Sequence, residues 1–322
     1  MERSQLSFFE MFRCPLCMAR IQRVDEEMLC DDTACGGRFP IIDGVPVLLN
    51  EAESVFSIGD YISRRATTVG VRKQSRLSTF LLQNCIPSIG RRVNSGHNFE
   101  KFVSLLLGQS SAPKVLVIGG RVIGHGMESL LVNPSIELVE SDVAFGPRTT
   151  VICDAHSLPF ASGSFDGVVA QAVLEHVADP YRCVKEIHRV LKGQGLVYAE
   201  TPFMVPGHFE RYDFTRFTHL GHRRLFRWFD EIDSGAVCGP GMALAWSYRH
   251  FVMSFTTSQM IRKLIYVFTA FTSFFLKYFD RFLIDKAGTI DAAAVHYFLG
   301  RKSDTALPDR ELIKKYRGAQ LI

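Results

Sequence analysis

Residues 115–126 read VLVIGGRVIGHG. Four apolar residues, Val115 to Ile118, run directly into Gly119 and Gly120, and two more glycines follow at 124 and 126. An apolar run closed by glycine predicts a buried strand ending in a turn where the backbone passes close to another group. The alternation continues downstream. Strands are expected at 136–140, 151–153 and 165–170, then a helix at 181–191 with Val184, Ile187, Val190 and Leu191 on one face, stopped by Gly193 and Gly195. A fifth strand is expected at 196–200. Alternating strands and helices predict an α/β fold with a doubly wound, mostly parallel sheet. Such a sheet takes its ligand outside the carboxyl ends of its strands, near the switch point.

Length and composition bound the function. The 322 residues allow one large domain with additions, or two domains. Apolar residues make up 47% and charged residues 22%, which is ordinary for a globular protein in water. A net charge of +4 gives no strong case for a nucleic-acid surface. The start, MERSQLSFFEMFRCPLC, lacks the apolar core of a secretory leader, so a cytoplasmic protein is expected.

Eight cysteines divide into two sets. Cys85, Cys153, Cys183 and Cys238 are scattered and read as small core hydrophobes. Cys14, Cys17, Cys30 and Cys35 form a C-x2-C pair and a C-x4-C pair separated by twelve residues. Two close thiolate pairs on separate turns can surround one tetrahedral zinc, with no open position for catalysis. A module of this size buries too little apolar surface to stand alone, so a metal staple is expected. The following stretch, RFPIIDGVPVLL at 38–49, resembles the Y-P-I-x-D-G-I-P-x-L-L ending of small zinc-ribbon proteins that partner methyltransferases. The resemblance implies a ribbon fused to its enzyme, with a structural or partner-binding role.

Glycines after a strand could serve NAD, another nucleotide or tight packing alone. The stretch DAHSLPFASGSFDGVVAQAVLEHVADPYRCVKEIHRVLKGQGLVYAETPF, 154–203, narrows the choice. It resembles the D-A-x-x-L-P-F, S-F-D-x-V, L-E-H and R-V-L-K-P-G-G signatures of class I S-adenosylmethionine-dependent methyltransferases, in order, over about 113–203. That resemblance implies a Rossmann-like seven-stranded sheet whose last two strands form an antiparallel pair, here expected at 232–237 and 294–300. It implies S-adenosylmethionine as cofactor. Gly119, Gly120 and Gly124 would pass the methionine part, Glu140 or Asp142 would hold the ribose, and Asp154 and Ala155 would read the adenine. Gln171 to Leu174 would line the sulfonium side, and Glu175 with His176 would be structural. Two features depart from the pattern: Val117 stands where an acid is common, and Arg121, Val122 and Ile123 lengthen the turn.

The segment TPFMVPGHFERYDFTRFTHLGHRRLF, 201–226, crowds His208, Tyr212, Asp213, Arg216, His219 and His222 into 15 residues. It resembles a pattern in methyltransferases encoded beside bacterial polysaccharide and glycolipid enzymes, implying a small-molecule, sugar or lipid-linked sugar acceptor. His208 is the first candidate general base, with Asp213 as its orienter. Arg216 reads as a loop anchor through an ion pair, or as a phosphate clamp. About 55 residues separate the last two expected strands, too many for a hairpin. They hold LIYVFTAFTSFFL, 264–276, whose thirteen uncharged residues fall short of the roughly 20 that span a bilayer. A helix packed on the domain or in a homodimer is the first reading. The second is a helix lying in the inner face of a membrane through 264–284, with Arg262, Lys263, Lys277 and Arg281 towards headgroups.

The expected organisation is a ribbon module at 1–52, a helical linker at 53–112 and a methyltransferase domain at 113–238 and 289–304. An apolar helical insertion at 239–288 and a tail at 305–322 complete it. An RNA base methyltransferase and an inactive methyltransferase-like scaffold are the competing functions.

Overall fold

The computed structural model describes residues 9–64, 85–207 and 212–319. Eleven strands form one sheet: β1 Ile21–Val24, β2 Glu27–Cys30, β3 Arg38–Ile42, β4 Val45–Leu48, β5 Lys114–Ile118, β6 Glu137–Asp142, β7 Val151–Cys153, β8 Phe165–Gln171, β9 Leu191–Pro202, β10 Phe229–Cys238 and β11 Val295–Lys302. Their order across the sheet is β1-β2-β3-β4-β7-β6-β5-β8-β9-β11-β10. From β7 to β10 this is the expected doubly wound arrangement of seven strands. β5, β6, β7, β8 and β9 pair in parallel, and β11 runs antiparallel to both β9 and β10. The expected seven-stranded sheet is extended by the four ribbon strands, because β4 pairs in parallel with β7 through Val47↔Ile152 and Leu48↔Cys153. An unpaired β7 edge would expose backbone donors and acceptors, and β4 covers it.

Alternation along the central strands sends side chains into two cores. Leu116, Ile118, Val168, Val197 and Ala199 pack on one side, with Cys183, Ile187 and Val190 of helix α4 (Pro180–Val190). Val115, Val117, Val169, Leu196 and Tyr198 pack on the other, beneath Phe99, Phe102 and Leu106 of helix α2 (Ser95–Leu107). The first core continues into the ribbon: Phe12, Cys14, Met28 and Phe39 belong to it, and the Phe12 and Phe160 rings lie 5.5 Å apart.

Three expectations shift. Helix α4 stops at Val190 and β9 starts at Leu191, so Gly193 and Gly195 lie in the strand. They allow the bent entry of β9, where its register with β8 slips and Gly195 folds against Leu191. Cys85 is exposed, unlike buried Cys153, Cys183 and Cys238, because it precedes α2 on a surface segment. The stretch 264–284, expected as one helix, is divided between two, and the insertion holds four: α6 Pro240–Met253, α7 Gln259–Ser273, α8 Leu276–Leu283 and α9 Ala287–Ala292. Short helices among the described residues are α1 Ile58–Ile62, α3 Glu128–Leu131, α5 His219–Leu225 and α10 Asp309–Ile313.

Candidate functional site

A cavity of about 320 Å³ opens where β5, β6, β7 and β8 end. Strand order reverses between β6–β5 and β5–β8, so this is the switch point. Gly119 sits on its wall at φ +76, and a Cβ there would meet Val173 Cγ2 at 2.6 Å. Only glycine suits that backbone at so close an approach. The amides of Gly119 and Gly120 both donate to the Ser141 carbonyl, at 2.9 and 3.0 Å, tying the turn to β6. Gly124 lies so tightly on Gln171 that any Cβ would overlap its amide. Gln171 in turn donates from Nε2 to the His125 carbonyl at 2.9 Å, while its buried Oε1 has no partner among the described residues. Ala172 follows at φ +55, a conformation costly for a residue with a Cβ. It too lines the cavity.

The acids differ in their surroundings. Asp142 faces the cavity and accepts from the amides of Arg121 (3.1 Å) and Ala144 (2.9 Å). Burial pushes its carboxyl up, while those amides and the Arg121 charge oppose the rise. Glu140 sits two residues earlier on the same side of the strand, yet it turns from the cavity to Arg148, 2.7 Å from Nε. A Cβ on Gly120 would meet the Glu140 Cβ at 2.8 Å. Asp154 borders the cavity beside Ala155. Burial opposes its ionisation, but hydrogen bonds from the His156 ring and amide and from Ser54 hold its carboxyl below the usual range. Ser54 Oγ donates to Oδ2 at 2.6 Å and His156 lies 2.5 Å from Oδ1. The structure therefore brings Gly119, Gly124, Asp142, Asp154, Ala155 and Gln171 around one cavity, and leaves Glu140 and Gly120 just behind its wall.

Part of the wall comes from segments that carried no sequence signal. Phe56 is part of it, and its ring stacks on Tyr212, another lining residue, with centroids 5.8 Å apart. Arg92 also lines the cavity and pairs with Glu200, which is fully buried and accepts from Ser95 and Tyr198 at 2.6 Å each. None of these positions lies in a periodic or glycine-marked stretch, so composition alone could not select them. His208 lies outside the described residues. Asp213 forms an ion pair with Arg216, whose Nη2 donates to Oδ2 at 2.7 Å, and Arg216 Nε donates to the Val205 carbonyl at 3.0 Å. This is the loop-anchoring geometry. His219 and His222 are buried away from the cavity, and burial pushes His219 down to about 4.

Glu175 is fully buried and its carboxylate has no hydrogen-bond partner among the described residues. Burial raises its carboxyl from 4.5 to about 8, with the Asp213 charge adding to the rise and Arg216 and Arg92 opposing it. Between those values the folded chain holds a proton that the unfolded chain has released, so stability falls as pH rises from 4.5 to 8. Glu175→Gln removes this penalty. The Tm advantage of the variant over the native chain should therefore grow between pH 5 and pH 8, as followed by thermal unfolding. A constant difference would assign the pH dependence elsewhere.

The four N-terminal cysteines form a second site. Their sulfurs all lie within 4.8 Å of one another, with Cys14–Cys35 at 3.7 Å and Cys17–Cys30 at 3.5 Å. Tetrahedral zinc with Zn–S of about 2.3 Å needs sulfur separations near 3.8 Å, so the donor set fits. Each pair is held by a turn: Met18 N donates to the Cys14 carbonyl at 2.8 Å, and Gly36 N to the Asp32 carbonyl at 3.0 Å. Burial pushes the Cys14 thiol up to about 12, and a dication would reverse that by stabilising the thiolate.

Residues 122–199 match the family described as a methyltransferase domain. The chain is 29% identical over 151 residues to cycloartenol-C-24-methyltransferase 1 of Oryza sativa subsp. japonica, a match covering 42% of this chain and 41% of that protein. It thus spans under half the length of that curated relative. Among solved structures, a Galdieria sulphuraria protein provisionally named a sarcosine dimethylglycine methyltransferase aligns at 14% identity and TM-score 0.45, over 71% of this chain and 98% of that one. Phosphoethanolamine N-methyltransferase 2 of Haemonchus contortus, solved with phosphomonomethylethanolamine and S-adenosylhomocysteine, aligns at 17% identity and TM-score 0.41, over 72% and 59%. No helix among the described residues is long and apolar enough to cross a membrane. Residues 122–199 are thus similar to a methyltransferase-domain family, and they lie in a doubly wound sheet whose edge carries a four-cysteine module.

Proposed function

We propose that the chain transfers a methyl group from S-adenosylmethionine to a small-molecule, sugar or lipid-linked sugar acceptor. The reading rests on one observation: the Gly119 turn, Asp142 and Asp154 converge on a single cavity at the switch point. Asp142 would hold the ribose hydroxyls, since each of its oxygens keeps a lone pair after accepting one amide. Asp154 and Ala155 would meet the adenine edge. Gly119, Gly124 and Gln171 would border the methionine part, and the unpartnered Gln171 Oε1 offers it an acceptor. The cofactor supplies an electrophilic methyl group, so the work left to the chain is alignment and exclusion of water. Phe56 and Tyr212 suit the second task, as they stack on each other in the cavity wall. His208 remains the candidate base and Arg216 with Asp213 the pair that holds its loop. The cysteine cluster would hold a structural zinc.

In this reading residues 1–52 act as an in-built partner module, 113–238 and 289–304 as the methyltransferase domain, and 239–288 as an accessory insertion, with 53–112 as linker and 305–322 as tail. The rice relative's name is that of an enzyme acting on cycloartenol, which favours an acceptor with an apolar part. Isothermal titration with S-adenosylhomocysteine tests the cofactor. Transfer of labelled methyl from S-adenosylmethionine into fractionated cell extract tests the reaction and identifies the acceptor. Absence of binding heat would refute the reading. Binding without label transfer into any fraction would favour the inactive scaffold instead.

A further inference from the structure

The helical insertion is built inside out. The buried residues of α7 are Thr269, Ala270 and Ser273, and the one buried residue of α8 is Asp280. In α6 they are Gly241, Ala243, Ala245 and Arg249. Polar groups bond to one another within the helix packing: Arg249 Nε donates to Thr269 Oγ1 at 3.1 Å and its guanidinium lies 4.0 Å over the Tyr266 ring. Asp280 accepts from the amides of Gly241 (2.7 Å) and Met242 (3.0 Å). The large apolar side chains point outward instead. At about 100° per residue, Met260, Ile261, Leu264, Val267, Phe268, Phe271 and Phe275 fall within one arc of about 120°. All are exposed, Met260 at 74% and Leu264 at 66%. Phe279 and Phe282 continue the exposed surface along α8, and Leu244 and Phe251 add to it from α6.

A helix group in water buries its apolar stripe and exposes its polar one. Small and polar residues inside with aromatics and aliphatics outside is the packing that lipid as a solvent selects. Charge narrows the partner further. Between residues 240 and 284 the sole acid is Asp280, and it is buried. The bases Lys263 and Arg281 are exposed, and Arg262 and Lys277 are half-buried. A twofold dimer through this face would set each basic rim against its own copy. An anionic headgroup layer complements it.

We propose that α6, α7 and α8 seat the protein in one leaflet of an anionic bilayer, with the α7 arc among the acyl chains and Lys263 and Arg281 at the phosphates. The helices are too short to span, so they lie in the interface plane. Topology puts the insertion at the cavity's end of the sheet. The insertion leaves β10 at Cys238 and rejoins at Val295 of β11, which pairs with Pro202 at the carboxyl end of β9. This is the sheet edge that holds the cavity. Lys277 Nζ donates to the Ser88 carbonyl, Arg91 lies 5.7 Å over the Tyr278 ring, and the next residue, Arg92, lines the cavity. Delivery of a membrane-borne acceptor to the cavity rests on the methyltransferase reading, whereas the docking does not.

Flotation of the full chain with phosphatidylcholine vesicles, with and without phosphatidylglycerol, tests the docking. The native chain should float with the mixed vesicles and far less with phosphatidylcholine alone. Phe268→Glu with Phe271→Glu changes two outward residues, so Tm and S-adenosylhomocysteine affinity should hold while vesicle binding drops about tenfold or more. Lys263→Glu with Arg281→Glu should abolish the preference for phosphatidylglycerol. Failure to float with either vesicle would overturn the proposal. So would a vesicle-free dimer, seen by light scattering, that the phenylalanine substitutions convert to monomer. Cofactor titration on the same samples separates either outcome from failure of the methyltransferase reading.

Discussion

Cys17→Ser with Cys30→Ser, or removal of metal by a chelator, should lower the Tm by roughly 10 °C or more and weaken S-adenosylhomocysteine binding at least about tenfold. The reason for the first effect is local: without a metal, the two cysteine turns have only a few backbone hydrogen bonds to hold them. The second effect follows from how the ribbon joins the sheet. β4 is hydrogen-bonded to β7 over Val47 and Leu48, and Asp154 is the residue directly after β7. The chain leaving β4 then delivers Ser54 to the Asp154 carboxylate and Phe56 to Tyr212. Loosening the ribbon therefore removes a hydrogen bond and an aromatic wall from the cavity together. Ser54→Ala with Phe56→Ala separates the two contributions: it should weaken the cofactor several-fold with a smaller loss of Tm than loss of the metal, since Phe56 is only a partly buried neighbour of the Val47, Leu49, Tyr61 and Ile152 cluster and the cysteine turns stay intact. Calorimetry with metal content measured in parallel checks both. Metal-free protein that stays folded and keeps its native affinity would show that the ribbon does not support the cavity.

The sequence was most legible where chemistry and local geometry coincide. Val115 to Ile118 could pack on both faces of a parallel sheet, and glycines could follow only where the backbone turns against Val173, so strand and turn were both readable. The cysteine spacing carried the donor cluster for a similar reason, since few other arrangements use two close thiol pairs. Distant pairings that the methyltransferase resemblance did not supply were not readable. Nothing in residues 45–48 announces that they will lie against 151–153, and so the union of ribbon and sheet went unseen. Phe56 and Arg92 reach the cavity, and Ser54 reaches Asp154, through that union or through the segment before α2. Glu140 and Asp142 were indistinguishable in sequence because both are acids at the end of one strand. Arg148, eight residues further on, turns Glu140 away. The insertion misled in another way: its aromatic stripe reads as a core stripe until small residues are found to occupy the interior.

Asp142→Ala should weaken S-adenosylhomocysteine by about 100-fold, while Glu140→Gln should change affinity less than about threefold. The contrast is sharp because the two acids lie two positions apart on β6 with opposite exposures to the cavity. Asp142 can accept from two ribose hydroxyls while its other lone pairs stay on the Arg121 and Ala144 amides. A hydrogen bond to a charged acceptor contributes about 1.5–3 kcal/mol, and losing two of them at the low end of that range gives a factor on the order of 100. Glu140→Gln instead leaves the Arg148 guanidinium half-buried without its counter-charge, so its cost should appear in Tm. The pH dependence has a definite sign. Accepting two hydroxyls requires the ionised carboxylate, and burial raises the Asp142 carboxyl above its ordinary 3.8. Affinity should therefore be full at neutral pH and decline on acidification earlier than an exposed aspartate would allow, and the decline should vanish in Asp142→Asn. Equal losses in the Asp142 and Glu140 variants would mean that the cofactor does not lie along the β6 tip, and the cavity would need a different occupant.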